Sequence, residues 1–171
     1  MARKLKGIPS ERQLTDNTAI LIGYLVIGFG LFEFALAGIV ACVYHNMGGK
    51  RIESELPIML SRSLTFVSKC TEKLPALVKH EAELDWIVSE ARRLSPIRHD
   101  VIHGYLAEYD EKANHLFTFA KATPDKKSKT IHIRTLREIT AEDLVKAGNA
   151  SIELSHRAAA LGLSLAKTRM P

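Results

Sequence analysis

The chain has 171 residues, 46% of them hydrophobic and 25% charged, a balance that supports one packed domain and excludes a disordered or low-complexity chain. Its formal charge of +5 permits a polyanionic partner without specifying one. Only Cys42 and Cys70 are present, and neither has a Cys or His at ligand spacing, which excludes a disulfide framework and a zinc knuckle.

In chain order, residues 1–14 read as a flexible basic N-terminus carrying Arg3, Lys4 and Lys6. The apolar stretch after it starts too late and runs too long for a cleavable signal peptide. That stretch, Ala19 to Tyr44, is interrupted by a single charge, Glu33. As a helix it is long enough to cross a bilayer, and Ala19/Gly23 and Ala37/Ala41 place small residues four apart, as membrane helix contacts do. It equally suits the central helix of a soluble bundle. A carboxylate near the middle of a span costs roughly 2.5–3.5 kcal/mol. Positive charge flanks both ends, and the later amphipathic helices need an apolar partner. The buried core helix, and with it a cytoplasmic protein, is therefore the expectation; helix 19–44 as a membrane anchor is the alternative.

Met47-Gly48-Gly49-Lys50 ends this helix. Pro57 is placed in the first turn of a second helix running toward Cys70, and Pro75 marks a further break. A third helix carries Leu77, Leu84, Ile87, Val88, Ala91 and Leu94 at helical spacing. Ser95-Pro96 reads as a cap followed by proline at the first helical position, so that Ile97 to Tyr109 lie on a next helix or on a kinked continuation of the third. Residues 113–136 then alternate as strands around a lysine-rich turn, which predicts a β-hairpin insertion. Thr140 with Asp143 opens a long last helix with its stripe at Leu144, Ala147, Ser151, Leu154, Ala158, Leu161 and Leu165. The expected fold is mainly α, a four- to five-helix bundle in one domain with the hairpin inserted before the last helix.

The chemistry concentrates in Arg98-His99-Asp100-Val101-Ile102-His103. On a helix, Ile97, Val101, Ile102, Tyr105, Leu106 and Tyr109 form an apolar arc, with His99, Asp100 and His103 outside it. His99 and His103 stand one turn apart and can face one ligand. Arg98 falls inside the arc, where a guanidinium needs a partner; Glu33, alone in the apolar first helix, is the expected one. His99-Asp100-x-x-His103 also has the spacing of a helical zinc site. Asp100 is shorter than the glutamate such sites use, however, and His115, His132 and His156 stand at no recognisable ligand spacing. No metal or cofactor is expected. Solvated histidines beside a structural Arg98 ion pair are the plainer alternative.

Arg98-His99-x-x-x-His103, followed by Gly104, resembles the Arg-polar-x-x-x-His signature of the HEPN superfamily, helical bundles of prokaryotic toxin and defence systems. Phe29-Gly30-Leu31-Phe32-Glu33-Phe34-Ala35-Leu36 is similar to first-helix sequences of some members. The resemblance implies a metal-independent endoribonuclease, a homodimer whose two motifs meet in one cleft, and a protein antitoxin as a candidate partner. It makes His103 the acid/base residue and Arg98 the phosphate ligand, with His99 orienting the pair or touching RNA and Asp100 and Glu33 in support. These roles fit the chemistry: RNA carries its own 2′-hydroxyl nucleophile, histidine titrates near neutrality and arginine's fork suits a phosphorane. A catalytically silent module that binds RNA, nucleotide or protein is the alternative within the same fold. Lys121, Lys126, Lys127, Lys129 and Arg134 add candidate contacts to an RNA backbone.

Overall fold

The structure, a computed structural model, describes residues 16–110, 113, 115–124 and 131–167. The expected basic N-terminus, residues 1–14, lies outside these, as do Lys126, Lys127 and Lys129. The chain is mainly helical, with α1 (Asp16–Asn46), α2 (Leu60–Lys73), α3 (Glu81–His103) and α4 (Ala141–Lys167). A small antiparallel sheet of β1 (Tyr105–Asp110), β2 (Leu116–Pro124) and β3 (Ile131–Thr140) is inserted before the last helix. Fold class and insertion point are as the sequence predicts. Three details differ.

Ser95-Pro96 does not start a new helix; the continuation is what forms, α3 running through it with Pro96 inside. Pro96 is exposed, so the missing N–H leaves the carbonyl of Arg92 to water instead of stranding it in the core. Tyr105, Leu106 and Tyr109 are not helical either. They form β1, which adds a third strand to the expected hairpin. Pro57 lies before α2, whose cap is the extended Met59. Its carbonyl accepts a hydrogen bond from Ser63 Oγ at 3.3 Å, which holds the proline in a lead-in segment.

The chain divides into two compact units. Of the described residues, one comprises those from Asp16 to Val26 together with those within Leu94–Asn149. Here Phe117 and Phe119 share a face of β2 and are buried with Leu25, Val101, Ile139 and Leu144, as strand alternation against an apolar layer requires. β2 pairs with β3 from Leu116↔Thr140 to Pro124↔Ile131, whereas β1 covers β2 only up to Ala120. Beyond that point β2 and β3 continue as a two-stranded ribbon, exposed along 121–123 and 131–135. At its other end β3 passes directly into α4. The Thr140 hydroxyl accepts the Asp143 N–H at 3.1 Å and donates to the Asp143 carboxylate at 2.9 Å, the expected capping arrangement.

The other unit comprises Ile27–Arg93 and the chain from Ala150 onward. Phe29, Phe32, Ile39, Leu84, Ile87 and Leu154 are fully buried in it, each worth about 1.5–3 kcal/mol of transfer free energy. Within it α1 and α4 run side by side in the same direction, Gly28 against Ser151 and Ile152, Gly162 against Ile39. Gly28 is what permits the approach, because a Cβ there would overlap Ser151 Oγ and lie 2.9 Å from Ile152 Cδ1. Arg157 of α4 forks onto Glu83 of α3 and lies 3.6 Å over the Trp86 ring. That hydrogen-bonded guanidinium holds the Glu83 carboxyl below the usual carboxylate range.

Gly28→Val should lower stability by roughly 1–3 kcal/mol, since overpacking at the α1–α4 contact outweighs the gain in helix propensity. Urea unfolding of the two proteins measures it. A pH effect is expected at His80, whose Nε2 is buried without a hydrogen-bond partner among the described residues. Burial, with Lys79 adding, depresses its pKa. The unfolded chain therefore takes up the proton first. The neutral ring's contribution is complete above the ordinary imidazole range and is lost as pH falls through it. Thermal melts should show wild type losing more stability between neutral pH and pH ~5 than His80→Leu.

Candidate functional site

Leu94 and Val101 turn the inner face of α3 into the core of the first unit. This fixes what its last two turns present outward. His99 and His103 are exposed, with ring centroids 4.7 Å apart at a tilt of 52°. They face the same space, as their spacing predicts. Arg98 is half-buried, in keeping with its position inside the apolar arc.

Asp100 is different from the expectation. Its side chain is only 17% exposed, because Arg137 of β3 reaches back and donates from Nε to its carboxylate at 2.9 Å. Its other oxygen lies 3.5 Å from His99 Nδ1. The carboxylate thus stands between a fixed cation and one of the two imidazoles. Arg137 is the contributor that helical arithmetic on one segment could not find, since it lies 37 residues away and arrives only through the sheet.

The end of α3 is set by Gly104. Its N–H donates to the Asp100 carbonyl at 3.0 Å. A Cβ at this position would meet that carbonyl at 2.5 Å, and Ala120 O and Leu136 Cδ1 at 3.3 Å each. Only glycine lets the helix stop against β2 and the chain turn into β1, where Tyr105 pairs with Ala120. His103 is in this way seated at the base of the ribbon. Because α3 runs through Ser95-Pro96, the backbone amides beside Arg98 belong to a helix interior and offer no N-terminal anion site.

On the ribbon, Lys121 stands directly opposite Arg134, and both are exposed. No ion pair joins either to a carboxylate among the described residues. Directly paired residues of an antiparallel ladder share a face, and like charges so placed repel. His132, two residues from Arg134, falls on that same face. Ala122 and Ile133 occupy the opposite one. Glu33 belongs to the other unit, on α1, while Arg98 belongs to this one.

Two further side chains escaped the sequence reading. The Tyr109 hydroxyl and His115 Nδ1 lie 2.5 Å apart at the β1–β2 connection, and His115 has φ of 53°. The Tyr109 ring also stacks on Phe117. The contact needs β1 to be a strand, so a helix drawn through Tyr109 hides it. No group of three or more His, Cys, Asp or Glu side chains is arranged to hold a metal ion among the described residues. Cys70 is buried and its thiol pushed up to about 11, chiefly by that burial, which leaves it a core residue without nucleophilic character.

Arg137→Gln should cost about 1–2 kcal/mol, as a charged hydrogen bond to a largely buried carboxylate is lost. Asp100→Asn in the same background should add less than it does alone, and a double-mutant cycle on urea midpoints measures that coupling.

No protein-family model matches the chain, and comparison with curated proteins and with solved structures finds no match.

Proposed function

We propose that the protein is a metal-independent endoribonuclease of the HEPN type, acting in the cytoplasm as a toxin or defence effector. One observation carries the reading: two exposed imidazoles, His99 and His103, lie 4.7 Å apart, the first next in sequence to a half-buried arginine, Arg98. His103 takes the proton from the ribose 2′-hydroxyl, whose oxygen attacks phosphorus. Arg98 balances the charge that grows on the non-bridging oxygens. The bond to the 5′-oxygen breaks as a protonated imidazole, His99, returns a proton to the leaving group. The products are a 2′,3′-cyclic phosphate and a 5′-hydroxyl. Asp100, held by Arg137, orients His99 through Nδ1. Two protomers supply the motif in this reading, and a protein antitoxin is the natural restraint on such an activity.

A second reading keeps the RNA and drops the cleavage. It is favoured by the Lys121–Arg134 pair, whose mutual repulsion a bound phosphate would relieve.

RNA digestion with chelator present separates the two. Wild type should cleave, and His103→Ala should lose about 10²–10⁴-fold. Arg98→Ala should fall comparably, with circular dichroism unchanged in both. Cleavage that survives either substitution removes the assignment. RNA binding without cleavage, lost on Lys121→Glu and Arg134→Glu, selects the second reading.

A further inference from the structure

The outward faces of α2, α3 and α4 carry charge: Arg62 and Lys69, Asp85 and Arg92, Glu153 and His156 are all exposed. Between Ile20 and Gly38 the exposed residues of α1 carry none, and charge returns only at His45 in its last turn. Ile27, Leu31 and Phe34 are exposed at four- and three-residue spacing, and Tyr24 and Ile20 continue the stripe toward the N-terminus. Spacing of this kind is the seam along which one helix packs against another. Phe34 is 83% exposed. Beside it, in the same unit, lies a groove of about 310 Å³ lined by Glu33, Ala37, Val40, Leu56, Pro57 and Ile58. Its rim is apolar too, Ile58 being 89% and Met59 69% exposed.

We infer that this face of α1 is the interface with a second copy of the chain, each copy's Phe34 seated in the other's groove. A two-fold contact needs one surface that holds both halves of the fit, so that residue i meets j and j meets i. Here knob and groove are neighbours. The volume is sufficient, since a cavity of about 150 Å³ already admits benzene. The area is sufficient as well. An aromatic side chain offers roughly 150–250 Å², and the exposed parts of the stripe and rim together reach on the order of the 800 Å² per partner that a specific interface buries.

A bilayer fits less well, although α1 has the length and hydropathy to cross one. Gly28 against Ser151 and Ile39 against Gly162 set α4 alongside α1 at the same level. A bilayer crossed by α1 would therefore hold Glu153 and His156 at the depth of its hydrocarbon, at a cost that only pairing or a water-filled cavity relieves. This inference stands on α1 and the groove and does not require that RNA be cleaved.

Sedimentation equilibrium of the full chain in detergent-free buffer tests it. Wild type should be a dimer. Phe34→Glu and Ile58→Glu should each weaken association by roughly 30-fold or more with an unchanged circular dichroism spectrum. A crosslinking arm stands even if either glutamate variant misfolds: Phe34→Cys chains mixed with Ile58→Cys chains, both in a Cys42→Ser background, should form a disulfide-linked heterodimer on mild oxidation. A monomeric wild type at high micromolar concentration overturns the proposal. So does a dimer that resists both glutamate variants or gives no 34-to-58 crosslink. Flotation of a monomeric wild type with phosphatidylcholine–phosphatidylglycerol vesicles assigns the face to lipid instead and equally overturns it.

Discussion

A helix that is apolar on every side must be covered on every side, and α1 is such a helix. An 18-residue window within its segment Ala19–Asn46 has a mean hydropathy of 2.3, so water is a costly partner for any face of that stretch. Both compact units take core residues from it, Leu25 in one and Phe29, Phe32, Leu36 and Ile39 in the other. In the second unit this dictates the character of its neighbour. α4 offers small or apolar residues toward α1, with Ser151, Leu154, Ala158 and Leu161 buried, and keeps Glu153 and His156 in solvent. The close approach at Gly28 follows, since two helices with small residues at their crossing bring more apolar surface together than two with large ones.

The candidate site depends on a second, more local constraint. α3 must end where it meets β2, and Gly104 is the residue whose missing side chain lets it do so. A longer helix would carry Tyr105 and Tyr109 past the sheet and remove the strand that pairs with β2. The same junction brings Arg137 within reach of Asp100. The carboxylate is thereby fixed, while the two imidazoles stay open. In the ribonuclease reading the division has a use: the fixed charge sets the geometry and the open imidazoles meet the substrate.

Much of this was legible in the sequence, for identifiable reasons. The stripes of α3 and α4 obey helical periodicity because each has one buried face, and every residue of the α4 stripe, from Leu144 to Leu165, is buried. The separation of His99 and His103 from the buried Val101 follows from the same periodicity. Errors came where a non-local contact overrides local preference. Ser95-Pro96 has the local chemistry of a helix start, yet Leu94 and Val101, packed on either side, hold one continuous helix through it. Tyr105 to Tyr109 fit a helical arc as well as a strand, and pairing with β2 decides between them. Asp100 looks outward by angle alone, and only Arg137, from a strand 37 residues on, draws it in.

The ribbon and the imidazoles bear on each other through solvation. His99 and His103 are open to water, where charges interact weakly and proton transfer to a substrate competes with bulk solvent. Such a pair acts on a phosphodiester only once the substrate itself covers it. Lys121 and Arg134 stand on the ribbon whose base lies against Gly104, and their like charges oppose each other across one ladder position. With nothing bound, that repulsion weakens the ribbon. A phosphate laid across it would convert the repulsion into two charge-assisted contacts, and in the ribonuclease reading the strand it belongs to would cover the imidazoles and exclude water from them. In the ribonuclease reading, the ribbon and the histidines are therefore one device. The energy of holding the backbone is spent on drying the groups that cut it.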